Sequence, residues 1–189
     1  MMTQLLRMPP RRRREKVTDY RHRLKQVKSG KPRLVIRRTN RYIIVQLVES
    51  RAGGDRCHLT VTSKKLAGYG WRAGFKNMPA AYLTGLLAGR MALKKGLKEA
   101  IVDIGLQRPV AGSRLFAVVK GAADAGLAIP FSQEVLPSDE RVRGGHIREY
   151  FEMVGERPGT PQFAASDPDS IKSVEEMFEK VRERIMEVG

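Results

Sequence analysis

Few residues of this chain have the type and spacing that catalysis requires. Its 189 residues include three histidines and a single cysteine. None stands at ligand spacing from another; Cys57 and His58 are adjacent, and in an alternating strand they point to opposite faces, so a zinc site is not expected. Gly112 to Gly121 supplies no Lys-Ser/Thr after its second glycine, which a phosphate loop needs. A two-metal nuclease clusters carboxylates around ions about 3.5–4 Å apart. Only Asp103, in an apolar strand, and Asp124, near a helix end, are candidates, and capping or a buried hydrogen bond suits each better. The residues therefore predict no enzyme, no metal, no cofactor and no small-molecule substrate.

What the chain does offer is positive charge. The run Arg11-Arg12-Arg13-Arg14-Glu15-Lys16 continues through Tyr20, Arg21, His22, Arg23, Lys25, Lys28, Lys31 and Arg33. The formal net charge is +16, and its distribution matters more than its size. Residues 1–80 hold 21 Lys/Arg and 4 Asp/Glu, a net of +17, whereas residues 81–189 hold 15 and 16, a net of −1. One part of the molecule is thus built for a polyanion, and the rest is ordinary protein surface. A membrane is a poor candidate. No stretch approaches the roughly 20 apolar residues of a span, Leu5 and Leu6 run almost at once into arginines instead of an apolar leader, and the basic run lacks large apolar side chains to insert. Cys57 alone cannot form an internal disulfide, which fits a reducing cytoplasm.

These cations need elements to place them. Residues 1–32, bracketed by Pro9-Pro10 and Gly30-Lys31-Pro32, predict a basic, disordered or extended arm, conditionally helical, with order arriving on binding. A solvated charge run or a localisation signal are the plainer readings of the same stretch. Two β-branched runs follow, Arg33 to Arg38 and Arg41 to Val48, separated by Thr39-Asn40; a turn at Ala52 to Asp55 leads to the alternating run Arg56 to Thr62. This is a three-strand antiparallel meander. Period two assigns Leu34, Ile36, Ile43, Val45, Leu47, Cys57, Leu59 and Val61 to a core face. The opposite face collects Arg33, Arg37, Gln46, Arg56, His58, Thr60 and Thr62, with Tyr42 and Ile44, and forms a basic, wet surface continuous with the arm. In the loop that follows, Lys64, Lys65, Tyr69, Trp71, Arg72, Phe75, Lys76 and Asn77 mix cations with rings suited to stacking on unpaired bases. Trp71 and Phe75 fit a core-plugging role equally well.

A helix over 80–95, begun by Pro79, carries Leu83, Leu86, Leu87 and Met91 inward, and its Gly85, Ala88, Gly89 and Ala92 would let its backbone lie close to a sheet. A buried strand over 100–105, a helix over 114–125 and an extended 127–130 follow. Residues 131–169 read as irregular, with Arg141, Arg143 and His146 as a smaller basic site and a short helix over 147–154. Asp167-Pro168 opens a last helix bearing Ile171, Val174, Phe178, Val181 and Ile185 inward. The fold class is α/β, a mixed sheet with helices packed on one face and a C-terminal helix. Three parts are expected: a basic extension 1–32, a globular domain 33–155 and an extension 156–189.

Several runs then resemble one family. Arg12-Arg13-Arg14-Glu15, Asp19-Tyr20, Arg23-Leu24 and Ser29-Gly30-Lys31-Pro32-Arg33-Leu34-Val35 are similar to the start of the eighteenth large-subunit ribosomal protein family, in its archaeal form. The likeness continues in Thr39-Asn40, Ala67-Gly68-Tyr69-Gly70-Trp71 and the specific run Asn77 to Gly89, then in Asp103 to Leu106, Gly112 to Ala117, Gly121 to Leu127, Ile129-Pro130 and Arg143 to Ile147. Phe131 departs from it, since members often carry His there. The resemblance implies a structural protein of the large ribosomal subunit, cytoplasmic, that binds 5S rRNA and helps attach it to the large-subunit rRNA in the central protuberance, beside neighbouring ribosomal proteins. Its implied contacts are the arm cations, Arg33, Arg37, Arg38, Asn40, Arg41, Tyr42, the loop residues and the second basic site. Two alternatives stand beside it: a metal-dependent RNA-processing enzyme on a ribonuclease-H-like sheet, and a general basic nucleic-acid-binding protein.

Overall fold

The computed structural model describes residues 8–9, 11–154 and 168–187. Its sheet has four strands in the order β3-β2-β1-β4. Strand β1 (Arg33–Arg38) pairs antiparallel with β2 (Ile43–Arg51), β2 pairs antiparallel with β3 (Gly54–Thr62), and β4 (Ile101–Asp103) runs parallel to β1 at the edge. The meander and the mixed sheet are as the alternation predicts. Arg41 and Tyr42 belong to the first hairpin turn and not to β2. There the Thr39 hydroxyl donates to the Tyr42 carbonyl and accepts from the Tyr42 amide, both at 2.9 Å, which closes the turn locally.

One face of the sheet is covered by helices. Helix α3 (Met78–Lys94) lies across β2 and β3, and α4 (Arg114–Asp124) lies against α3. Leu34, Ile36, Ile43, Val45, Leu47, Leu59 and Val61 meet Leu83, Leu86 and Leu87 in a single core. Gly85 and Gly89 of α3 face its neighbouring helix, not the sheet. A Cβ on Gly85 would stand 2.1 Å from the Val118 carbonyl oxygen, and one on Gly121 would stand 2.1 Å from that of Tyr82. Hydrogen fits where a methyl would not, so the two backbones touch.

Four further departures from the sequence expectations have local causes. The arm is helical over α1 (Arg11–Arg14) and α2 (Tyr20–Lys28), the second capped by Asp19, whose carboxylate accepts from the Arg21 and His22 amides. Within 131–169, a 3₁₀ turn at Gln133–Val135 and the short α5 (Asp139–Arg143) precede α6 (Gly145–Val154). Both are too brief for hydrophobic periodicity to register. The C-terminal helix is two pieces, α7 (Pro168–Lys172) and α8 (Val174–Glu187). Its apolar face is buried as expected, with the Tyr82 and Phe178 rings 5.5 Å apart; the expected cap at Asp167 lies outside the described residues.

The fourth departure is a β-bulge. Leu47 pairs with Leu59 but Val48 pairs with Cys57, so one extra residue sits in β3. The alternation inverts there. Cys57 leaves the expected core face and is exposed on the outer one, beside Gln46 and Thr60. His58 and Arg56 go the other way. The His58 ring lies 3.0 Å from Glu49 on the helix-bearing side, and Lys95 donates to its carbonyl.

Candidate nucleic-acid interface

The predicted contact residues fall into three groups. In the arm, Arg11, Arg12, Arg13, Arg14 and Lys16 are exposed, as are Tyr20, Arg21, His22, Lys25 and Lys28. Arg11 reaches Glu15 only loosely, at 3.6 Å across solvent. Arg12 Nε donates to the Thr18 hydroxyl, and Lys31 pairs with Glu99 at 2.6 Å on the surface. Among the described residues, most of this charge has no protein partner.

The second group is spent internally. Arg33, expected on a wet face, is 4% exposed and donates to Asp103 at 2.9 Å and Asp55 at 2.6 Å. Arg37 stands over the other oxygen of Asp103 at 3.3 Å, and Arg23 of α2 joins Asp55 at 2.8 Å. This chain of charges ties the arm helix to three strands, aided by Gln26, whose amide donates to the Val102 carbonyl. Burial pushes the Asp55 carboxyl up, but the hydrogen bonds from Arg23 and Arg33 outweigh it and hold the group below its usual range. Asp103 has both oxygens engaged by arginines and by the Gly105 amide, and Asp124 accepts from the Tyr82 hydroxyl at 2.8 Å. Both carboxylates thus have structural work. Among the described residues no group of three or more His, Cys, Asp or Glu side chains could hold a metal ion.

The third group gathers at one end of the sheet. Arg38, Asn40 and Arg41 are exposed at the hairpin turn, and Tyr42 leans on Phe75 with ring centroids 6.0 Å apart. The Lys76 ammonium donates to the Asn40 carbonyl at 3.1 Å, and Arg114 donates to the Lys76 carbonyl at 3.1 Å. Among the described residues no carboxylate pairs with Arg38, Arg41, Lys76 or Arg114. Burial first, and then the charge of Arg38, pull the Arg114 guanidinium below its ordinary value, which marks a local excess of positive charge. Arg114 was not among the sequence candidates. Its signal was a cation in the first turn of a helix, where the dipole disfavours it unless an anion is near.

Several expected stacking and contact residues are placed elsewhere. Trp71 is 1% exposed, with its ring N–H given to the Gly74 carbonyl, so it plugs the core. Tyr69 is half-buried against the same core, and the oxygen of Asn77 caps α3 through the Ala80 amide at 2.9 Å. Lys64 and Arg72 are exposed, and Lys65 folds back on the Thr60 carbonyl. Arg56 and His58 sit behind the bulge. In the second basic site, Arg141 is exposed, Arg143 reaches Glu179 at 3.5 Å, and burial, followed by the charge of Arg141, holds His146 below its usual value.

The sequence matches the family model described as "Ribosomal large subunit proteins 60S L5, and 50S L18" over residues 6–100 and 94–132. It is 46% identical over 181 residues to a protein of Haloarcula marismortui named large ribosomal subunit protein uL18, covering 96% of this chain and 94% of that one. The proteins of the same name from Korarchaeum cryptofilum and Aeropyrum pernix are 49% identical over 181 residues and 52% over 151. They cover 93% and 79% of this chain and 91% and 71% of their own. The chain belongs to this family of large-subunit ribosomal proteins. Family membership makes it a structural protein and not an enzyme, in keeping with the engaged Asp103 and Asp124. The ribosomal family model ends at Ser132, yet the Haloarcula relative aligns over nearly the whole chain, so most of the C-terminal segment has a counterpart in its sequence. Among the described residues no helix is long and apolar enough to cross a membrane.

Proposed function

We propose that the chain is a cytoplasmic structural constituent of the large ribosomal subunit that binds 5S rRNA and helps attach it to the large-subunit rRNA in the central protuberance, alongside neighbouring subunit proteins. The observation that carries RNA binding is the sheet-end cluster of Arg38, Arg41, Lys76 and Arg114, which has no counter-carboxylate among the described residues, together with the open arginines of α1. Such charge is costly to gather unless a polyanion arrives. A-form RNA hides its base edges in a deep, narrow groove, so these cations grip phosphates and backbone shape. The names of the relatives support the ribosomal setting. The basic extension 1–32, the body 33–155 and the extension 156–189 act in this reading as arm, platform and buttress.

Competition binding tests the choice of RNA. 5S rRNA should displace labelled 5S rRNA at concentrations at least tenfold below those needed by tRNA or duplex DNA at the same salt. Equal competition by all three would leave only a general basic nucleic-acid binder.

A further inference from the structure

The arm does not lie beside the outer sheet face; it crosses over it and leaves a cleft of about 440 Å³ between them. That volume falls in the range of about 300–1,000 Å³ of small-ligand sites. The floor is apolar, made by Val35 and Val48, which are 7% and 9% exposed. Val17 from the arm and Leu106 from the loop after β4 flank it, and they are 47% and 59% exposed. At the mouth stand the open guanidinium of Arg12 and the part-exposed Arg37. Of the carboxylates in the wall, Asp55 and Asp103 are engaged by arginines, and Asp19 accepts from the Arg21 and His22 amides through Oδ1.

The wall of the cleft also offers polar side chains, Gln46 and His22. Arg33 spends its two terminal nitrogens on Asp103, Asp55 and Ser50, and its Nε is buried out of reach of an occupant. The demands combine in one chemical class: a flat apolar body with a polar edge, attached to a phosphate. We infer that the cleft takes a single unpaired nucleotide of the bound RNA, its base over Val35 and Val48 with its edge toward Gln46 and His22, and its phosphate at Arg12 and Arg37. The inference rests on the RNA-binding reading above and gives it one base-sized, non-electrostatic contact, which phosphate grip alone lacks.

Cys57, the only cysteine of the chain, lines this cleft and supplies the test. Cys57→Trp fills the space from the exposed end of β3 without removing a cation, and Cys57→Ser is the control for the loss of the thiol. The tryptophan variant should keep its thermal midpoint and its salt slope, yet bind 5S rRNA about tenfold more weakly, while Cys57→Ser binds normally. Alkylation of wild-type Cys57 by N-ethylmaleimide should slow at least tenfold in the 5S rRNA complex. Full affinity of Cys57→Trp would overturn the proposal, showing that the cleft stays empty in the complex. Protection by 5′-mononucleotides but not by 5S rRNA would overturn it too, by assigning the cleft to a free nucleotide. If wild-type protein failed to prefer 5S rRNA at all, the parent reading would fall instead, and the competition experiment reports that separately.

Discussion

Arg33 and Arg38 stand on the same strand, yet one is locked inside the protein and the other is left open. On the outer face of the sheet, Arg23, Arg33 and Arg37 meet Asp55 and Asp103, and carboxylates answer most of the positive charge. At the hairpin end, Lys76 and Arg114 donate to backbone carbonyls, and among the described residues no carboxylate pairs with them or with Arg38 and Arg41. Residue type does not distinguish the two regions; the presence of carboxylates does. The first region is cement between arm and body, and the second is open charge, the socket we propose for an anion. High basic density in sequence is therefore an upper bound on the charge offered to RNA.

The largest expected effect lies in the balanced region. Asp103→Asn leaves buried Arg33 short of a partner and should cost about 3 kcal/mol of stability by urea unfolding. A loss under about 1 kcal/mol would mean the network does not hold the sheet to the arm. Next, replacing Arg11 to Arg14 together by Gln should lower the log–log salt slope of RNA binding by about 3, at roughly 0.7–0.9 per lost phosphate contact. Folding stability should stay within about 0.5 kcal/mol, since all four side chains are exposed. An unaltered slope would remove the arm from the interface. Arg38→Gln and Arg114→Gln should each lower the slope by about 0.7–0.9, whereas Arg33→Gln should leave the slope alone and reduce stability instead. The smallest effect concerns pH. The folded carboxyl of Asp55 titrates below its ordinary value of 3.8. Its contribution is complete above that value and is lost as pH falls from there through the folded pKa. Amide exchange in α2 should accelerate over that acid window before exchange in α3 does.

The sheet was legible in the sequence because alternation is a local property: Leu34, Ile36, Ile43, Val45, Leu47, Leu59 and Val61 all point inward as period two requires. The bulge was not legible, since an extra residue in β3 leaves the run Arg56 to Thr62 looking regular, and so Cys57 and His58 were assigned to the wrong faces. Arg33 was misplaced for a different reason. Its partner Asp103 is far off in sequence and becomes its neighbour only through the parallel pairing of β1 with β4. Trp71 was undecided between stacking and core because composition is the same either way; burial decides for the core. For the site, exposed arm cations were readable from charge alone. Arg114 needed the fold, because only helix α4 brings it to Lys76.

The contact between α3 and α4 bears on that same socket. Helix α3 begins just after Lys76 and α4 begins at Arg114, and the helices advance side by side from there, with Gly85 on Val118 and Gly89 on Ala122 and Ala125. The gap between those helices sets how far apart the two cations stand, much as the hinge of a pair of calipers sets its jaws. Two missing methyl groups, at Gly85 and Gly121, thus fix a spacing at the surface from deep inside the protein. A methyl added at either position would spread the jaws and, in the proposed RNA complex, mismatch them to the interval between phosphates with both cations still in place.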